Sequence, residues 1–176
     1  MTPLITKDDL DNYKYVADSV KNSTVWPQFV SEAQMFEVKI WLGDALLNEL
    51  IGQAETSPTS FTDLNKTLLN GGSYVYQTKT YLFQGLKAAI IYYAFARFTS
   101  RQPYNYTAAG ITVKDSDFST PASDKSVQRL STEAFLTASA IRDEVLLYLR
   151  RNSSSYPLFR CSGGGGRPRT FTVIGD

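Results

Sequence analysis

Histidine is absent from the chain, and there is a single cysteine, Cys161. The first absence removes the commonest general base and the commonest transition-metal ligand. Together the two exclude Ser-His-Asp and Cys-His arrangements and leave only carboxylates from which to build a zinc site. One cysteine cannot close an intrachain disulfide, and Cys161, beside flexible glycines, reads as an incidental thiol. Charge of one sign is lacking too. Eighteen basic and 17 acidic residues leave a net +1, so no global basic field points to nucleic acid or a membrane surface. Long apolar runs are missing. The longest, Ala88 to Ala96, is less than half of the roughly 20 residues a membrane-spanning helix needs, and no membrane partner is expected. The opening Met1-Thr2-Pro3-Leu4-Ile5-Thr6 carries neither a basic region nor an apolar core of signal-peptide length. The expectation is a protein made and kept in cytoplasm, or built into a particle assembled there.

The remaining polar clusters give little chemistry. Asp8, Asp9 and Asp11 sit at the start of a helix-like segment, where negative charge is welcome. Asp115 and Asp117, with Asp124 beyond, are oxygen donors suited to Mg²⁺ or Ca²⁺, but nothing matches the ordered twelve-residue calcium loop. A solvated turn is the preferred reading there. Glu32 and Glu37 are five residues apart, about 140° round a regular helix, and are not expected to converge. Gly163 to Gly166 is followed by neither Lys-Ser nor a helix, so it makes a poor phosphate cradle. No catalytic residue, no metal and no cofactor are expected, and the chain is read as a non-enzyme.

What is present is helical periodicity. Thr6 and Asp9 mark a short helix running to about Tyr15. A first long helix is expected from Pro27 to Gly52, with Phe29, Ala33, Phe36, Ile40, Leu47 and Leu50 along one face. Val30, Met35, Val38, Trp41 and Leu46 widen that face. Residues 61–69 read as a short helix stopped by Asn70-Gly71-Gly72. A second long helix is expected from about Ser73 to Ser100, apolar all round between Ala88 and Ala96 and so central. A third starts at Thr120-Pro121 and runs to Arg151 with Val127, Leu130, Ala134, Ala138, Ile141, Val145 and Tyr148 on one side. Pro157 prevents continuation. Between the last two, residues 101–120 break the pattern. Ile111 and Val113 alternate with polar residues as in a short strand or extended loop. The fold class expected is all-α: a helical bundle of three long and two short helices over residues 1–158, with a protruding loop or short hairpin. Residues 159–176 form a Gly-rich hinge and an extended C-terminal arm.

That arm is the most telling segment. Four glycines, Gly163 to Gly166, precede Arg167-Pro168-Arg169-Thr170-Phe171-Thr172-Val173-Ile174. The glycines free the backbone, whereas Thr-Phe-Thr-Val-Ile reads as a strand with no sheet to join in a helical body. A neighbouring subunit is the preferred partner, and the alternative is an arm folded back on its own body. Charge is arranged to match. Residues 1–60 carry net −5, and residues 61–141 and 142–176 each carry +3, which suits head-to-tail contact between copies. Arg160, Arg167 and Arg169, with Phe159 and Phe171, mix charge and aromatics as single-strand nucleic-acid binders do. Three arginines make a small footprint, and no recognition helix is visible. Pairing of these arginines with acidic groups on an adjacent copy is preferred.

The layout resembles a known family. Leu4-Ile5-Thr6-Lys7-Asp8-Asp9-Leu10 opens the chain. Phe29-Val30-Ser31-Glu32-Ala33-Gln34 leads into Leu42-Gly43-Asp44-Ala45-Leu46-Leu47. A Tyr/Ala-rich helix (Ala89 to Phe98), Ala109-Gly110-Ile111-Thr112-Val113, and Leu149, Asn152 and Tyr156-Pro157-Leu158 follow. Across residues 4–158 this is similar to the head-to-tail connector (adaptor) proteins of tailed bacteriophages, especially those infecting Bacteroidetes. The resemblance implies a helical subunit of a homo-oligomeric ring, commonly dodecameric, seated beneath the portal protein. Such a ring extends the channel for packaged DNA, passing without specific recognition, and docks tail or neck proteins. It implies a virion location at the head-tail junction after assembly in the host cytoplasm. Its gripping elements would be the loop Gly110 to Phe118 and the extension Cys161 to Asp176. The expected interface residues are Gly110, Ile111, Val113, Phe118, Arg160, Arg167, Arg169, Phe171, Val173 and Ile174. The competing reading is a small cytoplasmic helical module that binds a protein or nucleic acid.

Overall fold

The computed structural model describes residues 2–13, 25–56, 61–101, 104–107, 110–113 and 123–159. Helix α1 (Lys7–Asp11) opens with the cap expected of Thr6 and Asp9. The Asp9 N–H donates to the Thr6 hydroxyl at 3.3 Å, and the Thr6 N–H donates to the Asp9 carboxylate at 2.8 Å. Two orphan donors at the helix start are thereby satisfied reciprocally.

The long helix expected from Pro27 to Gly52 exists as a chain of segments. Helix α2 (Trp26–Ala33) carries Pro27 in its first turn, where the missing N–H costs nothing. A π-helical segment (Gln34–Val38) follows, then α3 (Lys39–Leu42). Gly43, at φ +86°, turns the chain into α4 (Asp44–Thr56), and Gly52 lies inside α4 rather than ending it. The π segment shifts the phase of the buried face, because its turn holds an extra residue. Val30, Gln34, Val38 and Leu42 point inward, whereas Phe36 and Ile40, expected on the buried face, are 60% and 78% exposed.

Helix α5 (Asp63–Asn70) starts at Thr62, whose hydroxyl accepts the Asn65 N–H at 3.2 Å, and stops at Gly71. The helix expected from Ser73 needs correction. Its first part is an antiparallel hairpin, β1 (Gly72–Tyr76) and β2 (Lys79–Phe83), paired Gly72↔Phe83 through Tyr76↔Lys79. Gln77 and Thr78 both have positive φ, the geometry of a tight type I′ turn. The physical reason is an alternation of aromatics. Tyr74 and Tyr76 on one strand and Tyr81 and Phe83 on the other fall on a single face of the ladder, which period two allows and a helix does not. Only after Gly85 does α6 (Leu86–Arg101) begin.

Helix α6 is central, as expected. Leu86, Ala88, Ala89, Ile90, Ile91, Tyr93, Ala94 and Ala96 are all buried, and the alanines let neighbouring helices approach closely. It packs mainly against α7 (Asp124–Arg151) and α2. Helix α7 begins at Ser123, whose hydroxyl accepts the Ser126 N–H at 3.2 Å, and Thr120-Pro121 lies outside the described residues. Ala134, Ala138, Ile141, Val145 and Tyr148 are buried as expected, but Leu130 is 45% exposed. The first turns of α7 therefore stand outside the core. Within the stretch expected to be a protruding loop or short hairpin, β3 (Tyr104–Thr107) and β4 (Gly110–Val113) form a second hairpin. Among the described residues the fold is mostly helical with two small antiparallel sheets, and the all-α expectation is corrected to that extent. Phe159 is buried in the same core as Tyr148 and Tyr156.

Candidate interaction surfaces

Glu32 and Glu37 converge, contrary to the separation a regular helix would impose. The π segment between Gln34 and Val38 underwinds the turn that relates them, bringing both carboxylates to one guanidinium on α6. Arg97 Nε donates to both Glu37 oxygens at 3.1 Å, and its Nη1 donates to Glu32 at 2.9 Å. Arg101 Nη1 donates to the two Glu32 oxygens at 2.9 and 2.8 Å. Burial would lower the Arg97 pKa, but the hydrogen bonds and charges of Glu37 and Glu32 carry it above its ordinary value. Both carboxylates are thus held by guanidinium groups in one ion-pair network. The Arg97 guanidinium also lies 5.2 Å from the Phe36 ring centroid. Phe36, Met35 and Ile40 form an outward apolar strip beside this charged cluster. The one sequence signal for it was Gln34, a polar residue in the four-residue spacing Val30, Gln34, Val38, Leu42.

Gln34 is fully buried and spends its amide on the N-terminal segment. Its Oε1 accepts the Leu4 N–H at 2.8 Å and its Nε2 donates to the Thr2 carbonyl at 3.2 Å. The segment is held again by Asp9, which accepts from Lys87 Nζ on α6 at 2.8 Å. Burial would raise the Asp9 pKa, but the Lys87 ammonium and the Thr6 donors hold the carboxyl below its ordinary value.

The β1–β2 hairpin is fastened to the end of α7 by an aromatic cluster. Phe83 stacks on Tyr148 at 4.2 Å, and Tyr74 meets Tyr148 edge-on at 5.0 Å. Arg151 lies 3.9 Å from the Tyr81 ring centroid and 4.9 Å from that of Tyr76, and donates to the Tyr74 hydroxyl at 2.9 Å. Tyr156 closes the cluster. Its hydroxyl bonds the Tyr148 hydroxyl at 3.0 Å and donates to the Leu64 carbonyl at 2.8 Å, and burial together with the Tyr148 bond raises its pKa strongly. With its inner face committed in this way, the hairpin turns Val75 and Leu82 outward, 69% and 79% exposed.

Of the interface residues expected from the sequence, three fall on one element. Gly110, Ile111 and Val113 lie on β4, opposite Thr107, Tyr106 and Tyr104 of β3. Phe118, Arg160, Arg167, Arg169, Phe171, Val173 and Ile174 lie outside the described residues, as do Asp115 and Asp117. The Phe36 strip and the outer face of the β1–β2 hairpin were not anticipated. The first was hidden by the π segment, and the second by reading Ser73 onward as helix. Among the described residues, no cluster of three acidic or cysteine side chains is arranged to hold a metal ion, and no helix is long and apolar enough to cross a membrane.

The chain belongs to a family of unknown function, DUF6712, whose profile matches residues 38–169. No curated protein and no solved structure matches it.

Proposed function

We propose that this chain is a structural subunit of a phage neck, a head-to-tail connector that forms a ring beneath the portal, extends the DNA channel and docks the tail. In this reading the helical body is a rigid bundle, and its hairpins and C-terminal arm grip neighbouring copies and the portal. It works in the virion, with no cofactor and no active site, and packaged DNA passes through it without specific recognition.

The observation that carries the reading is where unused bonding capacity lies. Val75 and Leu82 on the hairpin, and Phe36 and Ile40 beside the Arg97 cluster, are large apolar side chains turned to the outside. An enzyme concentrates such groups around a cleft with convergent polar residues. A subunit built for assembly spreads them over outward elements, where partners cover them. The front-to-rear charge asymmetry of the sequence suits a head-to-tail ring contact. The resemblance across residues 4–158 supplies the identity of the ring.

Quantitative mass spectrometry of purified particles tests this directly. A copy number of about a dozen per particle is expected for a closed neck ring. Absence of the chain from particles rules the connector out and favours the cytoplasmic binding module. Within particles, deletion of residues 161–176 is expected to leave the helical circular dichroism intact and to weaken ring or portal attachment.

A further inference from the structure

Among the described residues, nothing covers the outer edge of the β1–β2 hairpin. A two-residue turn closes on Tyr76 and Lys79, so the ladder alternates from that pair outward. Tyr76–Lys79, Tyr74–Tyr81 and Gly72–Phe83 exchange backbone hydrogen bonds. Ser73 and Val75 on β1, and Thr80 and Leu82 on β2, point their N–H and C=O groups away from the partner strand. Among the described residues these outward groups have no hydrogen-bond partner. The same four residues carry the side chains turned away from the aromatic cluster, all of them exposed.

Proteins usually blunt such edges with lysine, proline or a bulge. Strand β1, Gly-Ser-Tyr-Val-Tyr, has no charge and no proline. Strand β2 carries Lys79 at the turn and is the strand that packs on α7. Both edges are unpaired among the described residues, and β1 is the one that carries no charge and is not packed on α7 in this way.

The occupant is argued from where the described chain stops. Phe159 is buried, and three residues before it Tyr156 meets Tyr148 at 5.7 Å, within the cluster that fastens the hairpin. The described chain thus ends, at Phe159, close to this hairpin. Residues 160–169 can span at most roughly 33–36 Å when extended, so the residues beyond them are not confined to the surface next to Phe159. Beyond them, Thr170-Phe171-Thr172-Val173-Ile174 is uncharged and consists only of β-branched and aromatic residues, the composition that adds readily as a strand. The geometry points to β1, Gly72–Tyr76, as the acceptor edge for Thr170–Ile174 of a second copy of this chain. This rests on the reading of the arm as an intersubunit element and names its receptor.

The test uses the full chain. Hydrogen exchange of the outward Ser73 and Val75 amides is followed as protein concentration is raised, alongside light scattering. Association is expected to slow exchange at both by about tenfold or more, since docked edge amides exchange only on release. Val75→Pro removes one outward donor and leaves the β1–β2 ladder intact. It is expected to weaken association about tenfold, the equivalent of roughly 1.4 kcal/mol, with unchanged helical circular dichroism. Thr80→Pro, on the β2 edge, is expected to leave association unchanged. Exchange that does not depend on concentration overturns the proposal, whether the edge is free or filled by the chain's own arm. If deletion of residues 161–176 abolishes association and Val75→Pro does not, the acceptor edge is wrong and the arm reading stands. If the deletion changes nothing, the arm reading itself fails.

Discussion

Gly71 and Gly85 meet backbone to backbone at the base of the β1–β2 hairpin. A Cβ on Gly71 would lie 2.4 Å from the Phe83 carbonyl oxygen, and one on Gly85 would lie 2.3 Å from the Gly71 nitrogen. Both residues also have positive φ, +76° and +85°. The hairpin can leave α5 and return to α6 only because neither position has a side chain. Gly71→Ala or Gly85→Ala is expected to cost more than the roughly 1–2 kcal/mol of left-handed backbone alone, because the clashing atoms are backbone and cannot rotate away. Gly72, whose added Cβ meets nothing within 4 Å, is the comparison, with only its φ of +140° to penalise substitution. Urea denaturation should rank the first two variants well below Gly72→Ala. Equal stability of all three would remove the close-approach argument.

Glu37 and Arg97 should be energetically coupled despite their separation in sequence. Their side chains are 16% and 21% exposed, so solvent screening is limited. Glu37→Gln is expected to destabilise by about 1.5–3 kcal/mol, the range for hydrogen bonds to charged groups. In a double-mutant cycle with Arg97→Met, the interaction term should be clearly different from zero. Additive losses would mean that the π segment, and not the ion pair, is what stabilises this corner.

Acid should loosen the N-terminal segment once pH falls below the ordinary carboxylate range. The folded Asp9 carboxyl lies below its ordinary value of 3.8. Its contribution is therefore complete above that ordinary value and is lost as pH falls through the lower folded one. Lys87→Met removes the ammonium that opposes burial, so the variant should be less stable at neutral pH and show a shallower loss on acidification. Urea midpoints measured from pH 7 down to the onset of acid unfolding would show this as two curves that draw together. Parallel curves would contradict it.

Gln34 is expected to resist replacement by an apolar residue of similar size. Gln34→Leu leaves the buried Leu4 N–H without its acceptor, at a cost of about 1–3 kcal/mol. The loss should be local first, with faster hydrogen exchange at Leu4 and its neighbours before any change in α6. Unchanged protection at Leu4 would show that the N-terminal segment is held by its apolar contacts alone.

Much of this architecture was legible in the chain. Thr6 with Asp9, Pro27 and Gly71 are local signals, and each works through atoms a few residues away. The all-round apolar run from Ala88 to Ala96 foretold a central helix, since no surface helix tolerates it. The outward surfaces were not legible. Phe36 and Ile40 fit the apolar stripe of a regular helix, and only the extra residue in the π turn swings them out. Residues 73–83 carry enough apolar character to be read as the start of a long helix, and only the Gly71–Gly85 approach and the aromatic seat at Tyr148 select the hairpin.

By itself the sequence determined which chemistry is excluded and where helices begin. A missing histidine and a lone cysteine are properties of composition, and a cap is a contact within one turn. Tertiary structure alone decided that Glu32 and Glu37 share Arg97, that Arg151 sits among three tyrosines, and that no described residue covers the outer edge of β1. Those outcomes depend on side chains dozens of residues apart, brought together by burial that no local pattern encodes.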